Sequence, residues 1–223
     1  MFPPKGLLFD LDGVLLDTEP LHGKAWKETA ATFGEILNND QLKLLQGRRR
    51  FDCALQVSNW ISKSIDVEEV LKVHQPISKK FLSTASAMTG AEELITWCYK
   101  ENFPIALVTS SSSLSVRTKI SPHPWLDFLV IRVQGDDPSL LCGKPQPDPY
   151  LLGAKKLQLS PNECWAIEDS ISGTQSAIAA GCQVWILKNE SNEEIIKKNF
   201  PQSETNPKFI DNLNEISRLI KTI

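Results

Sequence analysis

Short, nearly uninterrupted apolar runs recur along this chain of 223 residues, with helical patterns between them. The runs are 6–10 (GLLFD), 103–109 (FPIALVT), 128–133 (FLVIRV), 164–169 (CWAIED) and 183–187 (QVWIL). A strand that is apolar on both faces must be covered on both faces, so these runs predict interior strands. The stretches 91–101, 114–120, 148–157 and 172–180 read as helices, the last stopped by Gly181. Strand and helix in alternation predict an α/β fold built on a doubly wound parallel sheet. At the end, residues 212–223 set Leu213, Ile216, Leu219 or Ile220, and Ile223 on one face, as a closing helix would.

One region breaks the alternation. From about 20 to 86 no strand pattern appears, only helical ones: 22–33 with Trp26, Ala30 and Phe33, then 39–45, 51–61 and 67–82. An insertion directly after the first strand hangs over the carboxyl edge of the sheet, where open α/β sheets bind ligands. It is therefore expected to act as a lid. The expected division is a core of 1–17 with 88–223 and a helical cap of 18–87.

The rest of the composition narrows the function classes. A net charge of -3 gives no basic footprint for nucleic acid, Arg48-Arg49-Arg50 being a local exception. No run approaches eighteen apolar residues, and Asp10 and Asp12 interrupt the early apolar stretch, so neither a membrane span nor a signal peptide is expected. Five scattered cysteines without a CxxC pair read as reduced core thiols. The expectation is a cytoplasmic protein with no nucleic-acid, membrane or obligate protein partner.

Strand ends carry the chemistry. The first ends in Asp10-Leu11-Asp12-Gly13, and side chains at i and i+2 of an extended segment point the same way. Two carboxylates so placed repel unless a cation offsets them, and one would remain free to attack or to shuttle a proton. The glycine is fourth and follows a strand, unlike a calcium loop of the EF-hand type. The second ends in Thr109-Ser110-Ser111, whose hydroxyl and N–H groups could cradle phosphate oxygens, although serine clusters also form plain loops. The loop 143–149 (GKPQPDP) pins Lys144 with three prolines and could start a helix at Pro149 with Asp148 as cap. The fourth ends in Glu168-Asp169-Ser170, where a helix cap would account for Asp169 or Ser170 but not Glu168. Asp10, Asp12, Glu168 and Asp169 form an all-oxygen set suited to magnesium. The whole describes magnesium-dependent phosphoryl transfer with Asp10 as nucleophile.

The segments 9–20 (FDLDGVLLDTEP), 107–111 (LVTSS), 143–150 (GKPQPDPY) and 167–181 (IEDSISGTQSAIAAG) resemble the haloacid dehalogenase superfamily, in its β-phosphoglucomutase-like phosphatase branch. The resemblance implies a Rossmann-like core with an α-helical cap inserted after the first strand. It implies that Asp10 forms an aspartyl-phosphate and that Asp12 serves as general acid and then base. Thr109, Ser110 and Lys144 would bind the phosphoryl group, and Mg2+ would sit on Asp10, the backbone carbonyl of Asp12, Glu168 and Asp169. Thr18, Glu19, His22 and Arg50 match cap or substrate positions, Arg50 closing a glycine–x–x–arginine motif that starts at Gly47. His74 stands where mutase-like members carry a lysine. The stretch 134–138 (QGDDP) resembles pseudouridine-5′-phosphatases and related enzymes. The expected activity is hydrolysis of a small phosphorylated metabolite, a sugar phosphate or nucleotide-like phosphate. A phosphomutase is the alternative, and a catalytically silent phosphate-binding protein is a third reading.

Overall fold

The computed structural model describes residues 3–45, 50–188, 198–200 and 207–222. At its centre lies β1 (Gly6–Phe9), all four residues of which are buried. β1 pairs in parallel with β2 (Ile105–Val108) on one side and with β4 (Cys164–Glu168) on the other. β3 (Ile131–Val133) extends the sheet beyond β2, while β5 (Gln183–Leu187) and β6 (Lys208–Ile210) extend it beyond β4. The strand order is therefore β3-β2-β1-β4-β5-β6, all parallel, which is the doubly wound Rossmann-like order.

Helices cover the faces as the apolar runs require. α5 (Ala91–Lys100), α6 (Ser113–Ile120), α7 (Asp148–Lys156), α8 (Ile171–Ala180) and α9 (Leu213–Lys221) belong to this unit. Leu8, Val108, Ala166 and Ile186 of the sheet share one buried cluster with Tyr150 and Ala154 of α7 and Ala177 of α8. Deleting a buried Leu side chain from such a cluster costs about 2–5 kcal/mol. Leu213 and Ile216 of α9 are buried, as its stripe predicts; Ile223 lies outside the described residues.

Two strands differ from expectation. The run at 128–133 yields only the short β3, because Pro124–Phe128 winds into a 3-10 turn that stacks Phe128 on Tyr99 at 4.1 Å between centroids. β6 has no apolar run to announce it; a three-residue edge strand has one neighbour and little to bury. Of the five thiols, four are buried and Cys142 is exposed, against the expectation that all lie in the core. Among the described residues no helix is long and apolar enough to cross a membrane.

The contacts divide the chain into Met1–Leu16 with Ser86–Ile223, and Asp17–Ala85. A two-stranded ribbon of Leu16–Asp17 and Ser86–Ala87 forms where the chain passes from one to the other. The second unit holds α1 (Glu19–Thr32), α2 (Asn39–Lys43), α3 (Arg50–Trp60) and α4 (Val67–Leu82) around a core of Trp26, Ala30, Cys53, Ala54, Val57 and Val70. His74 of α4 is part of its interior. The imidazole stacks on Trp26 with centroids 3.6 Å apart, and Nδ1 lies 3.0 Å from Thr29 Oγ1. That hydroxyl already donates to the Ala25 carbonyl at 2.7 Å, so Nδ1 carries the proton and donates to it.

Burial, with the charges of Arg50 and His22 adding to it, lowers the His74 pKa to about 3. Between that value and the ordinary 6.5, the unfolded chain binds a proton here and the folded chain does not. Stability from this group is thus complete above 6.5 and is lost as pH falls toward 3, by up to about 1.4 kcal/mol per pH unit. Urea melts at pH 7 and pH 5 should show a smaller loss for His74→Phe, which keeps the stack, than for the wild type. Equal losses would mean that folded His74 takes up the proton.

Candidate active site

The register of β1 dictates what meets at its end. Phe9 lies opposite Ile167, so the next residues along, Asp10 and Glu168, come side by side, and the Asp10 N–H donates to the Ile167 carbonyl at 3.1 Å. This is the place where the strand order reverses, the crevice in which doubly wound sheets bind ligands. Lys144 enters it from the proline-rich loop. Its Nζ donates to Asp10 Oδ1 and Glu168 Oε1, each at 2.5 Å, and to the Val108 carbonyl at 3.0 Å. The Lys144 side chain is 4% exposed and that of Glu168 0%, so the pairs are shielded from water.

Glu168 is fully employed. Oε1 also accepts from the Tyr150 hydroxyl at 2.7 Å, and Oε2 accepts from Ser170 Oγ at 3.0 Å and the Asp169 N–H at 3.1 Å. Burial works against its charge, but Lys144 and these donors hold its pKa below the ordinary value. Asp10 differs: burial pushes it up to about 7 against the pull of Lys144, helped by the charges of Glu168 and Asp12. Burial and the same neighbours, Glu168 first, raise Asp169 well above its ordinary value. Burial opposes charge on Lys144 too, yet Asp10 and Glu168 keep it protonated, above its ordinary value.

Asp12 lies in a turn, not in the strand. β1 stops at Phe9, and the chain folds back so that Asp12 bridges to Leu16 and the Gly13 N–H donates to the Leu16 carbonyl at 2.8 Å. The i, i+2 rule of extended chains therefore does not set its direction. Gly13 has φ +80°, and a Cβ there would fall 2.0 Å from Asp169 Oδ2, so only glycine lets the turn close against that carboxylate. Likewise a Cβ on Gly173 would fall 1.8 Å from Glu168 Oε1. Asp12 faces a second lysine: Lys119 Nζ donates to both its oxygens at 2.6 Å, and Ser111 Oγ donates to Oδ2 at 2.9 Å. Thr109 is buried, its Oγ1 accepting from the Ser111 N–H at 3.1 Å, while Ser110 is exposed.

Sequence reasoning did not find Lys119, Ser111 as the partner of Asp12, or Tyr150 as the partner of Glu168. Lys119 left one signal, a lysine one turn after Val116 and next to Ile120 in the buried stripe of α6. Asp148 is the first residue of α7 and its side chain caps nothing, because Pro147 occupies the cap position. Ser170 caps α8, accepting from the Gly173 N–H at 3.0 Å. The QGDDP stretch is structural: Asp136 accepts from the N–H and hydroxyl of Ser113, and Asp137 pairs with Lys156 at 2.6 Å.

The remaining candidates belong to the second unit. Thr18 is buried at the cap position of α1, its side chain making no capping hydrogen bond, Glu19 opens α1, and His22 lies within it, partly exposed. Arg50 opens α3 and is exposed; Gly47, Arg48 and Arg49 lie outside the described residues. His74 is interior, stacked on Trp26.

The donor set suits a divalent cation. The carboxylates of Asp10, Asp12, Glu168 and Asp169 outnumber the ammonium groups of Lys144 and Lys119 by two, which is the charge of one such ion. All are hard oxygens, as are the backbone carbonyls beside them. Among the described residues no three acidic side chains already enclose a metal position. Both oxygens of Glu168 accept from protein donors.

A haloacid dehalogenase-like hydrolase profile matches residues 4–181, and the chain belongs to that family. It is 33% identical over 198 residues to a Saccharomyces cerevisiae protein named as a probable pseudouridine-5′-phosphatase, covering 84% of each chain. It is 34% identical over 184 residues to hexitol phosphatase A of Escherichia coli, covering 81% of each. Among solved structures, a Thermotoga maritima protein provisionally named a β-phosphoglucomutase superposes with a TM-score of 0.82 at 22% identity, over 98% of this chain and 99% of that one. The fold is thus that of the family, a Rossmann-like sheet with a helical insertion.

Proposed function

We propose that the protein is a magnesium-dependent phosphatase that hydrolyses a small phosphorylated metabolite through an aspartyl-phosphate. The observation that carries this reading is the separation of Asp10 and Asp12, each facing its own buried lysine. Two carboxylates with different surroundings can do different work. An Asp10 oxygen attacks phosphorus, and the departing oxygen takes a proton from Asp12. Water then attacks the aspartyl-phosphate while Asp12 accepts its proton, and inorganic phosphate is released. Lys144 and the Thr109 hydroxyl, with the Ser110 N–H, receive the phosphoryl oxygens. Asp10, the Asp12 backbone carbonyl and Asp169 would hold Mg2+ directly, with Glu168 acting through Lys144. What the bound ion supplies is neutralisation of charge on the phosphoryl oxygens.

The names of the relatives, a pseudouridine-5′-phosphatase and a hexitol phosphatase, support a sugar phosphate or nucleotide-like substrate. A phosphomutase shares the first half of this chemistry and differs in what attacks the aspartyl-phosphate, a sugar hydroxyl in place of water. The burial of His74 where mutase-like members carry a lysine favours the phosphatase. The test is a screen of phosphorylated metabolites with Mg2+, following free phosphate and isomer formation together. Stoichiometric phosphate is expected; isomer without phosphate would replace this reading with the mutase.

Arg50→Ala is expected to raise KM roughly tenfold, the worth of one charge-assisted hydrogen bond, with kcat changed less than about threefold. Steady-state kinetics on the best substrate of the screen decide it. An unchanged KM would remove Arg50 from substrate binding.

A further inference from the structure

Lys119 takes no part in the chemistry above, yet it holds the group that moves the proton. It stands in the buried stripe of α6 with its side chain 2% exposed. An ammonium costs heavily to bury unless it is paired, and packing alone would be met by leucine or methionine. The pairing here is specific. Nζ lies 2.6 Å from each Asp12 oxygen and 2.8 Å from Ser111 Oγ, which in turn donates to Asp12 Oδ2. Lys119, Ser111 and Asp12 thus close a triangle, and the carboxylate cannot swing without breaking charge-assisted bonds at both oxygens.

We infer that Lys119 is a positioning residue for Asp12: with Ser111 it fixes the direction of that carboxylate and keeps it out of the acidic group around Lys144. The carboxylate that must exchange a proton would thereby be withheld from Mg2+, to which Asp12 would offer only its backbone carbonyl. This rests on the reading of Asp12 as acid and base, and the test separates the two.

First-turnover rates are measured by rapid quench with two aryl phosphates and Mg2+. Phenyl phosphate needs its leaving oxygen protonated, whereas 2,4-dinitrophenyl phosphate does not. Lys119→Met is expected to slow phenyl phosphate on the order of 100-fold, as loss of acid catalysis does, and dinitrophenyl phosphate less than about threefold, with KM for either nearly unchanged. Lys119→Arg should recover most of the loss. In an Asp12→Ala background, Lys119→Met should add nothing, since it acts through the group already removed. Should Lys119→Met fail to fold, Ser111→Ala removes one arm of the triangle and should slow phenyl phosphate selectively by roughly fivefold.

Equal slowing of both substrates, or a full further loss in the Asp12→Ala background, overturns the inference. If Asp12→Ala itself shows no leaving-group dependence, the acid–base reading falls and this inference with it. If Asp12→Ala shows it and neither Lys119→Met nor Ser111→Ala does, only the role of Lys119 falls.

Discussion

Asp10→Asn should lower phosphate release by on the order of 10⁴-fold or more, the scale seen when a nucleophile is removed, while the protein melts at or above the wild-type temperature. The amide cannot attack phosphorus, but its oxygen can still accept from Lys144 Nζ, and the Asp10 N–H to Ile167 bond belongs to the backbone. The stability half of the expectation follows from charge. Burial, then Glu168 and Asp12, push the Asp10 pKa to about 7 despite Lys144, so the ionised side chain is held at a cost before any ligand arrives. A neutral amide removes that cost, most clearly at pH 8. Phosphate release and thermal melting on the same preparation decide both halves. Full activity would end the covalent mechanism, and a marked drop in melting temperature would show that the charge of Asp10 stabilises the fold.

Lys144→Met is the second large effect and differs in kind, because both activity and stability should fall. Turnover should drop on the order of 10³-fold, the scale of one preorganised charge at a developing oxyanion. Lys144 is also the counter-ion of two buried carboxylates, and removing one member of a buried ion pair costs about 3–5 kcal/mol. The deficit should shrink as pH falls. Without Lys144, Asp10 and Glu168 have folded pKa values raised above their unfolded ones, so the folded state binds more protons and stability declines as pH rises. Denaturant melts of the variant at pH 5 and pH 8 should therefore diverge more than those of the wild type. A pH-independent deficit would point to lost packing alone.

What could be read in advance follows how locally each feature is encoded. Asp10 and Glu168 were legible because each ends a run that is apolar on both faces, and such runs must lie centrally and in parallel. Lys144 was legible because three prolines closely spaced after it restrict the loop. The direction of Asp12 was not, since it depends on where β1 stops and on a left-handed turn at Gly13. Lys119 sits 107 residues from its partner, on a helix whose amphipathicity is weak, so nothing local tied the two together. His74 was placed by position in a family pattern, and only the packing of α1 on α4 turned it into a core residue. The edge strand β6 has too little burial to leave a pattern.

The strand order has a consequence for synthesis. β1 leaves the ribosome first, but its neighbour β4 is among the later segments to be made, and the whole of Asp17–Ala85 emerges between them. A nascent chain that has passed Ala85 carries all of its second unit and only one strand of its sheet. Asp10 must therefore wait for Lys144, Tyr150 of α7, Glu168 and Asp169, all of which are made after the second unit. Premature termination or cleavage anywhere before that point leaves a product with the nucleophile and no site around it.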